Sequence, residues 1–186
     1  MPADLRRQHE KYTIGLIEDA FMDIYEKKGL SLTVNEICEK TGVSRPVFYR
    51  LYDDKFEVLE KIEDRLIEDL RKINEKMPSA AFSSEMEFFP YVEESVRYVD
   101  ARRDRFRPLI CRPGDMNFVN RWSRLMRDDI VRRMDYEKKN LKNMDVYTYA
   151  ISVSAIGVYE YWLKEKPQMS VQEVSRIVSS LWKSFY

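Results

Sequence analysis

Thr41 to Lys55 reads TGVSRPVFYRLYDDK, and the way this stretch turns decides the fold. Gly42 supplies the permissive backbone of a sharp turn, and Val43 can plug the corner. Ser44 is placed to cap the helix that follows. Pro46 falls in that helix's first turn, where its missing N–H has no helical partner to lose. Spacing then divides the helix. Val43, Phe48 and Tyr52 fall on a side suited to packing, while Arg45, Pro46, Tyr49 and Arg50 share the other.

Upstream, apolar residues recur at Ile14, Ile17, Phe21, Ile24 and Tyr25, the stripe of an amphipathic helix that stops at Gly29. Thr33 with Glu36 makes a capping box for a second helix from Val34 to about Lys40. Downstream, Asp54 with Glu57 repeats that pattern and opens a fourth helix, 54–76, striped by Leu59, Ile62, Leu66, Leu70, Ile73 and Met77. A proline and small residues interrupt the period over 77–84, a boundary candidate. Helical patterns resume over 85–101, 106–111, 115–140, 143–165 and from 170 onward. No stretch alternates as a strand does. The expectation is an all-α chain of about nine helices: a helix-turn-helix domain over 1–55, helix four as connector, and a helical domain over 56–186.

Composition sets further bounds. The chain has 186 residues, 44% of them hydrophobic and five of them glycine, enough for a substantial core. Basic and acidic side chains number 32 each, so net charge points to no partner. Their distribution is uneven: residues 56–96 carry five basic and eleven acidic groups, and 97–142 carry fourteen and seven. Facing helices that neutralise each other explain this, and a pocket for an anion is the alternative. Cys38 and Cys111 lack the spacing of a disulfide framework or a metal site. The expectations are therefore reduced thiols, no metal and no cofactor. No secretory pattern precedes the first helix, which implies a cytoplasmic protein. Met144 to Leu163 approaches the ~20 apolar residues of a membrane span. Its Asp145, Glu160 and hydroxyl residues instead suit a helix packed on its own domain on one side and on a partner subunit on the other.

The stretch TVNEICEKTGVSRPVFYRLYDDKFEVL, Thr33 to Leu59, resembles the signature of the TetR family of transcriptional regulators. The match takes in Thr33, Val34, Ile37, the Gly42-Val43-Ser44 turn, Phe48, Tyr49, Tyr52, Lys55 and Leu59. It departs at Val47, where threonine is common, and at Leu51, where histidine is common, so contacts made by those residues in relatives do not carry over. The resemblance implies a dimeric, operator-binding repressor with no enzymatic role, whose DNA affinity a small molecule modulates.

Within that frame Arg45 suits a bidentate contact to a guanine edge, and Pro46 contact with a thymine methyl. Tyr49 matches the family tyrosine that donates to a phosphate. Lys55 and Thr33, at the starts of helices four and two, would hold further phosphates beside the positive ends of helix dipoles. Ser44 belongs to the same surface, and Arg50 is either a phosphate contact or a solvated edge. Arg6, Arg7 and Lys11 precede the first stripe and are either a DNA-contacting arm or solvated charges. Glu18, Asp19, Asp23, Glu36 and Glu39 must face away from DNA.

For the dimer, Val171, Val174, Ile177, Val178, Leu181 and Phe185 form one stripe, and Ala155 and Gly157 let helices approach closely; two such helices per subunit make a four-helix bundle. Effector-pocket candidates are Phe88, Tyr91, Tyr98, Phe106, Trp122, Met126, Tyr147 and Tyr149, with ordinary core as the competing reading. The segment from Ile156 to Val178 is also similar to regulators of dihydroxyacetone utilisation, in its Gly followed by Trp-Leu. Two rivals stay open. An enzyme lacks support, since His9 is the only histidine and no phosphate-binding Gly-rich loop occurs. A TetR-like co-regulator acting through protein contacts, with weak or no operator binding, is kept open by the near-neutral first 55 residues and by the changes at Val47 and Leu51.

Overall fold

The computed structural model describes residues 3–77, 85–112, 116–136 and 142–183. Among them are nine α-helices and no strand: α1 (Ala3–Lys28), α2 (Val34–Thr41), α3 (Arg45–Leu51), α4 (Lys55–Glu75), α5 (Glu85–Asp100), α6 (Arg103–Cys111), α7 (Asn117–Tyr136), α8 (Met144–Glu165) and α9 (Val171–Lys183). Of the boundary candidate, 77–84, all but Met77 lie outside the described residues. The chain divides into two compact units, 1–65 and 66–186, with the division inside α4 rather than at residue 55.

In the first unit, Ile17, Phe21 and Tyr25 of α1 meet Leu32, Ile37, Phe48, Val58 and Ile62 in a closed core, each 3% exposed or less. Phe21 and Tyr25 stack at 5.6 Å. The start of α2 follows its capping box: Thr33 Oγ1 accepts from the Glu36 N–H at 3.3 Å, and Glu36 accepts from the Thr33 N–H at 2.9 Å. Its end is set by Gly42, left-handed at φ 71°, whose N–H returns to the Cys38 carbonyl at 2.9 Å. Ser44 holds the N-cap place of α3 through its backbone carbonyl alone, with no side-chain cap hydrogen bond. At α4, Asp54 accepts from the N–H groups of Phe56 and Glu57, while Glu57 reaches back to Asp53 instead of Asp54.

α1 begins well before its apolar stripe, and this corrects one expectation. Arg6, Arg7 and Lys11, expected to precede the first helix, lie within it. Residues 4–12 contain no Gly or Pro, and Asp4 in the first turn complements the dipole, so the helix extends without burial to reward it.

The second unit packs α5 on α9, α7 on α8, α8 on α9 and α6 on α8. An aromatic line runs through it: Phe106 lies 5.7 Å from Phe118 and 5.4 Å from Trp122, and Trp122 lies 4.9 Å from Tyr159. Trp162 donates to the Met169 carbonyl at 3.0 Å and lies under Arg103, whose guanidinium also donates to the Pro167 carbonyl at 2.8 Å. These bonds close the α8–α9 turn. The uneven charge is resolved largely along single helices, as in Arg71 with Glu68 and Glu75 or Arg97 with Glu93; Lys76 with Glu94 is a pair across helices. No helix among the described residues is long and apolar enough to cross a membrane.

Candidate nucleic-acid interface

α3 presents two faces that do different work. Phe48 is fully buried and Tyr52 is 5% exposed, their rings 5.8 Å apart. Arg45, Pro46, Tyr49 and Arg50 are all exposed, and Tyr49 keeps 55% of its surface although its ring is edge-on to Phe48 at 5.5 Å. An aromatic ring between two arginines on an open helix face contributes little to its own core. It is suited to a polyanion with flat, stackable and hydrogen-bonding edges.

The buried face is fixed by a polar network that the sequence only hinted at. The Tyr52 hydroxyl donates to Glu18 Oε1 at 2.9 Å, and Arg65 donates to both Glu18 oxygens at 2.8 Å. Glu18 is 3% exposed, so its charge is compensated inside the unit and directed away from the open face of α3. Burial, and then the Glu18 carboxylate, push the Tyr52 phenol well above its ordinary range, so it stays a hydrogen-bond donor. Asp23 pairs with Lys40 at 3.1 Å and Glu36 pairs with Lys28. The acidic residues that had to be accounted for are thus largely spent within the unit.

Three of the expected contacts have occupations of their own. Arg45 donates through Nε and Nη2 to the side-chain oxygen of Asn35, tying the first turns of α3 and α2 together. Asn35 was not expected to take part; its place in the first turn of α2, two residues after the Thr33 cap, was the available signal. Lys55 donates to the carbonyls of Leu30 at 2.6 Å and Leu32 at 2.9 Å, which leaves one ammonium hydrogen for another acceptor. Thr33 is engaged in the capping box, and the Glu36 carboxylate already stands at the positive end of α2. Arg50 makes no ion pair among the described residues.

No family model matches the chain. It is 25% identical over 194 residues to an uncharacterized HTH-type transcriptional regulator, YxbF, of Bacillus subtilis (strain 168); the match spans all of this chain and 47% of that protein, so the chain covers about half the length of this curated relative. The TetR transcriptional regulator from Streptococcus agalactiae 2603V has a TM-score of 0.71 at 19% identity, covering 97% of this chain and 99% of that one. Its helical framework matches in both units. The chain has the TetR-family fold. A second structure with this fold, the TetR-family repressor FadR from Thermus thermophilus in complex with lauroyl-CoA, has a TM-score of 0.58 at 16% identity, covering 91% and 93%.

Within the TetR-family fold the second unit encloses a void of about 40 Å³. Tyr91, Trp122 and Met126 line it as expected, joined by Asn74, Asp129 and Tyr159, which were not singled out. Asp129 and Arg133 continue the Trp122–Met126 register at helical spacing, so a charge pair on an apolar stripe was the overlooked signal. Tyr98, Phe106, Tyr147 and Tyr149 do not line it. Tyr98 is a structural node that donates to Asp69 at 2.8 Å and packs under Arg102, and Phe106 belongs to the aromatic line. Tyr147 and Tyr149 are 43% and 54% exposed on α8, and the Arg127 guanidinium of α7 lies 5.5 Å from the Tyr149 ring centroid. The side chain of Phe88 lies outside the described residues.

The dimer residues divide in a similar way. Ala155, Val174 and Val178 are buried in the unit's own core, 4% exposed or less. Gly157 and Ile177 face outward, Val171 and Leu181 are half-buried, and Phe185 lies outside the described residues. The open apolar face consists of Val153, Gly157 and Tyr161 on successive turns of α8, with Ile177 of α9 beside them, and a depression of about 280 Å³ runs along it. Of the stripe read from α9, Val174 and Val178 turn inward and Ile177 outward, since spacing reports amphipathicity but not which neighbour the apolar side meets.

Proposed function

We propose that the chain is a cytoplasmic transcriptional repressor. Two copies dock their α3 helices in successive major grooves of a near-palindromic operator, and a small molecule in the second unit lowers that affinity. The observation that carries this reading is the open face of α3, where Arg45, Tyr49 and Arg50 stand exposed while Phe48 and Tyr52 anchor the helix from behind. Arg45, steadied by Asn35, and Pro46 read bases; Tyr49 and Arg50 hold phosphates; Lys55 mainly fixes the start of α4 and spends its remaining hydrogen on a phosphate. Exposed Val153, Gly157, Tyr161 and Ile177 supply the self-association that a two-fold operator requires. The TetR-family repressor crystallised with lauroyl-CoA supports effector control on this fold.

Selection of duplexes from a random library at a stated salt concentration tests the reading. It should enrich an inverted repeat with half-site centres about one or two turns apart, ~34 to 36 Å per turn. A selection that enriches nothing, together with capture of a protein partner, would favour the co-regulator alternative.

A further inference from the structure

The void in the second unit has a single group charged at neutral pH among the side chains described as lining it. Asp129 is 5% exposed, and the walls around it include the aromatic faces of Trp122, Tyr91 and Tyr159. Its carboxylate accepts from Arg133, through Nε at 2.8 Å and Nη2 at 3.0 Å, and its Oδ1 accepts also from the exposed Arg132. Arg133 is itself 2% exposed, and its remaining hydrogens reach the Asn74 carbonyl at 2.7 Å and the Met77 carbonyl at 2.8 Å. The last carbonyls of a helix have no partner within it, and a cation there also complements the dipole. Arg133 therefore latches the end of α4, and Asp129 holds the latch. α4 is also the helix whose residues 55–65 belong to the first unit.

We infer that Asp129 anchors the effector, that the effector is an apolar or aromatic molecule bearing a protonated amine, and that it takes the place of Arg133 at the carboxylate and so frees the end of α4. This rests on the effector-controlled reading above. A carboxylate only accepts hydrogen bonds, so an ammonium group satisfies it and an anionic head opposes it. The surrounding indole and phenol faces add attraction for a cation. A void of about 40 Å³ admits little more than water, so a ligand must displace the pliant Met77 and Met126 side chains that line it. Met77 is also the residue whose carbonyl Arg133 grips, and admission of the ligand and release of the latch act on one turn. The effector lowers operator affinity only by its preference for the released state.

Calorimetric titration of the full chain with phenylbutylamine, phenylbutyrate and phenylbutanol separates head-group charge from apolar bulk. The amine should bind at least about tenfold tighter than the carboxylate, the equivalent of one close ion pair. Asp129→Asn should abolish that preference. Because this change leaves Arg133 without its counter-ion, the double variant Asp129→Leu with Arg133→Met, which exchanges the buried pair for apolar side chains, provides a folded control that should bind amine and alcohol alike. Saturating amine should speed amide exchange over residues 74–77 in the unmodified chain and not in the double variant. A carboxylate that binds as well as the amine, a preference that survives both variants, or unchanged exchange at the end of α4 would overturn the inference. Release of α4 by the amine with unaltered operator affinity would leave the anchor standing and refute the effector-controlled reading instead.

Discussion

Tyr52→Phe isolates what holds the recognition helix in place. The ring is 5% exposed and packs on Phe48 at 5.8 Å, so removing only the hydroxyl leaves the apolar contacts intact. The lost bond, 2.9 Å to a buried carboxylate, belongs to the charge-assisted class worth about 1.5 to 3 kcal/mol. Glu18 Oε1 still accepts from Arg65 at 2.8 Å, so the oxygen is not stranded, and the cost should fall at or below the bottom of that range, about 1 to 1.5 kcal/mol. Urea unfolding followed by circular dichroism measures it. Arg65→Gln alone should cost less than about 1 kcal/mol, because its side chain is 56% exposed and water screens the pair. In the double variant the two changes should couple by about 0.5 kcal/mol or more, since both act through one carboxylate. A Tyr52→Phe protein within about 0.3 kcal/mol of the parent, or strict additivity with Arg65→Gln, would show that the network does not hold α3.

Gly42→Ala should destabilise the first unit by about 1 to 2 kcal/mol, and Gly42→Asn by less; no atom lies within 4 Å of the added carbon, so the cost comes from the φ of 71° alone, and equal losses for both would refute this. The raised Tyr52 ionisation has a sign that can be checked. Its stabilising contribution is complete below the unfolded phenol's value of about 10 and fades as pH rises through and beyond it, so the gap between the parent and Tyr52→Phe should narrow from about pH 9 to pH 11; a constant gap contradicts it. Gly157→Arg meets open space within the subunit and favours the helix by about 1 kcal/mol, so the variant should be folded yet run at 22.4 kDa instead of twice that in light scattering; a persistent dimer would move the interface elsewhere.

How much was legible from sequence follows from the range of the forces involved. Caps and turns are local, and Thr33 with Glu36 and the left-handed Gly42 appear where the residue pattern placed them. The split of α3 into an anchoring and an open face was legible for the same reason, as seven residues suffice to show it. Glu18 could be predicted to face away from DNA, but not to be buried between Tyr52 and Arg65, partners 34 and 47 residues distant. α8 is apolar nearly all round, so periodicity could not tell Ala155, which is buried, from Gly157, which is exposed. Asp129 and Arg133 were passed over because a charged pair on an apolar stripe has meaning only once the carbonyls of Asn74 and Met77 are brought to it.

The central claim is that the open face of α3 reads duplex DNA, and a gel-shift comparison of three proteins on the DNA flanking the chain's own gene tests it most directly. The unmodified chain should bind below micromolar concentration at stated salt. Arg45→Ala should lose about 1 to 3 kcal/mol and relax preference at one position of each half-site, while Tyr49→Phe should weaken binding evenly across sequences. Unchanged affinity and preference in both variants would contradict it.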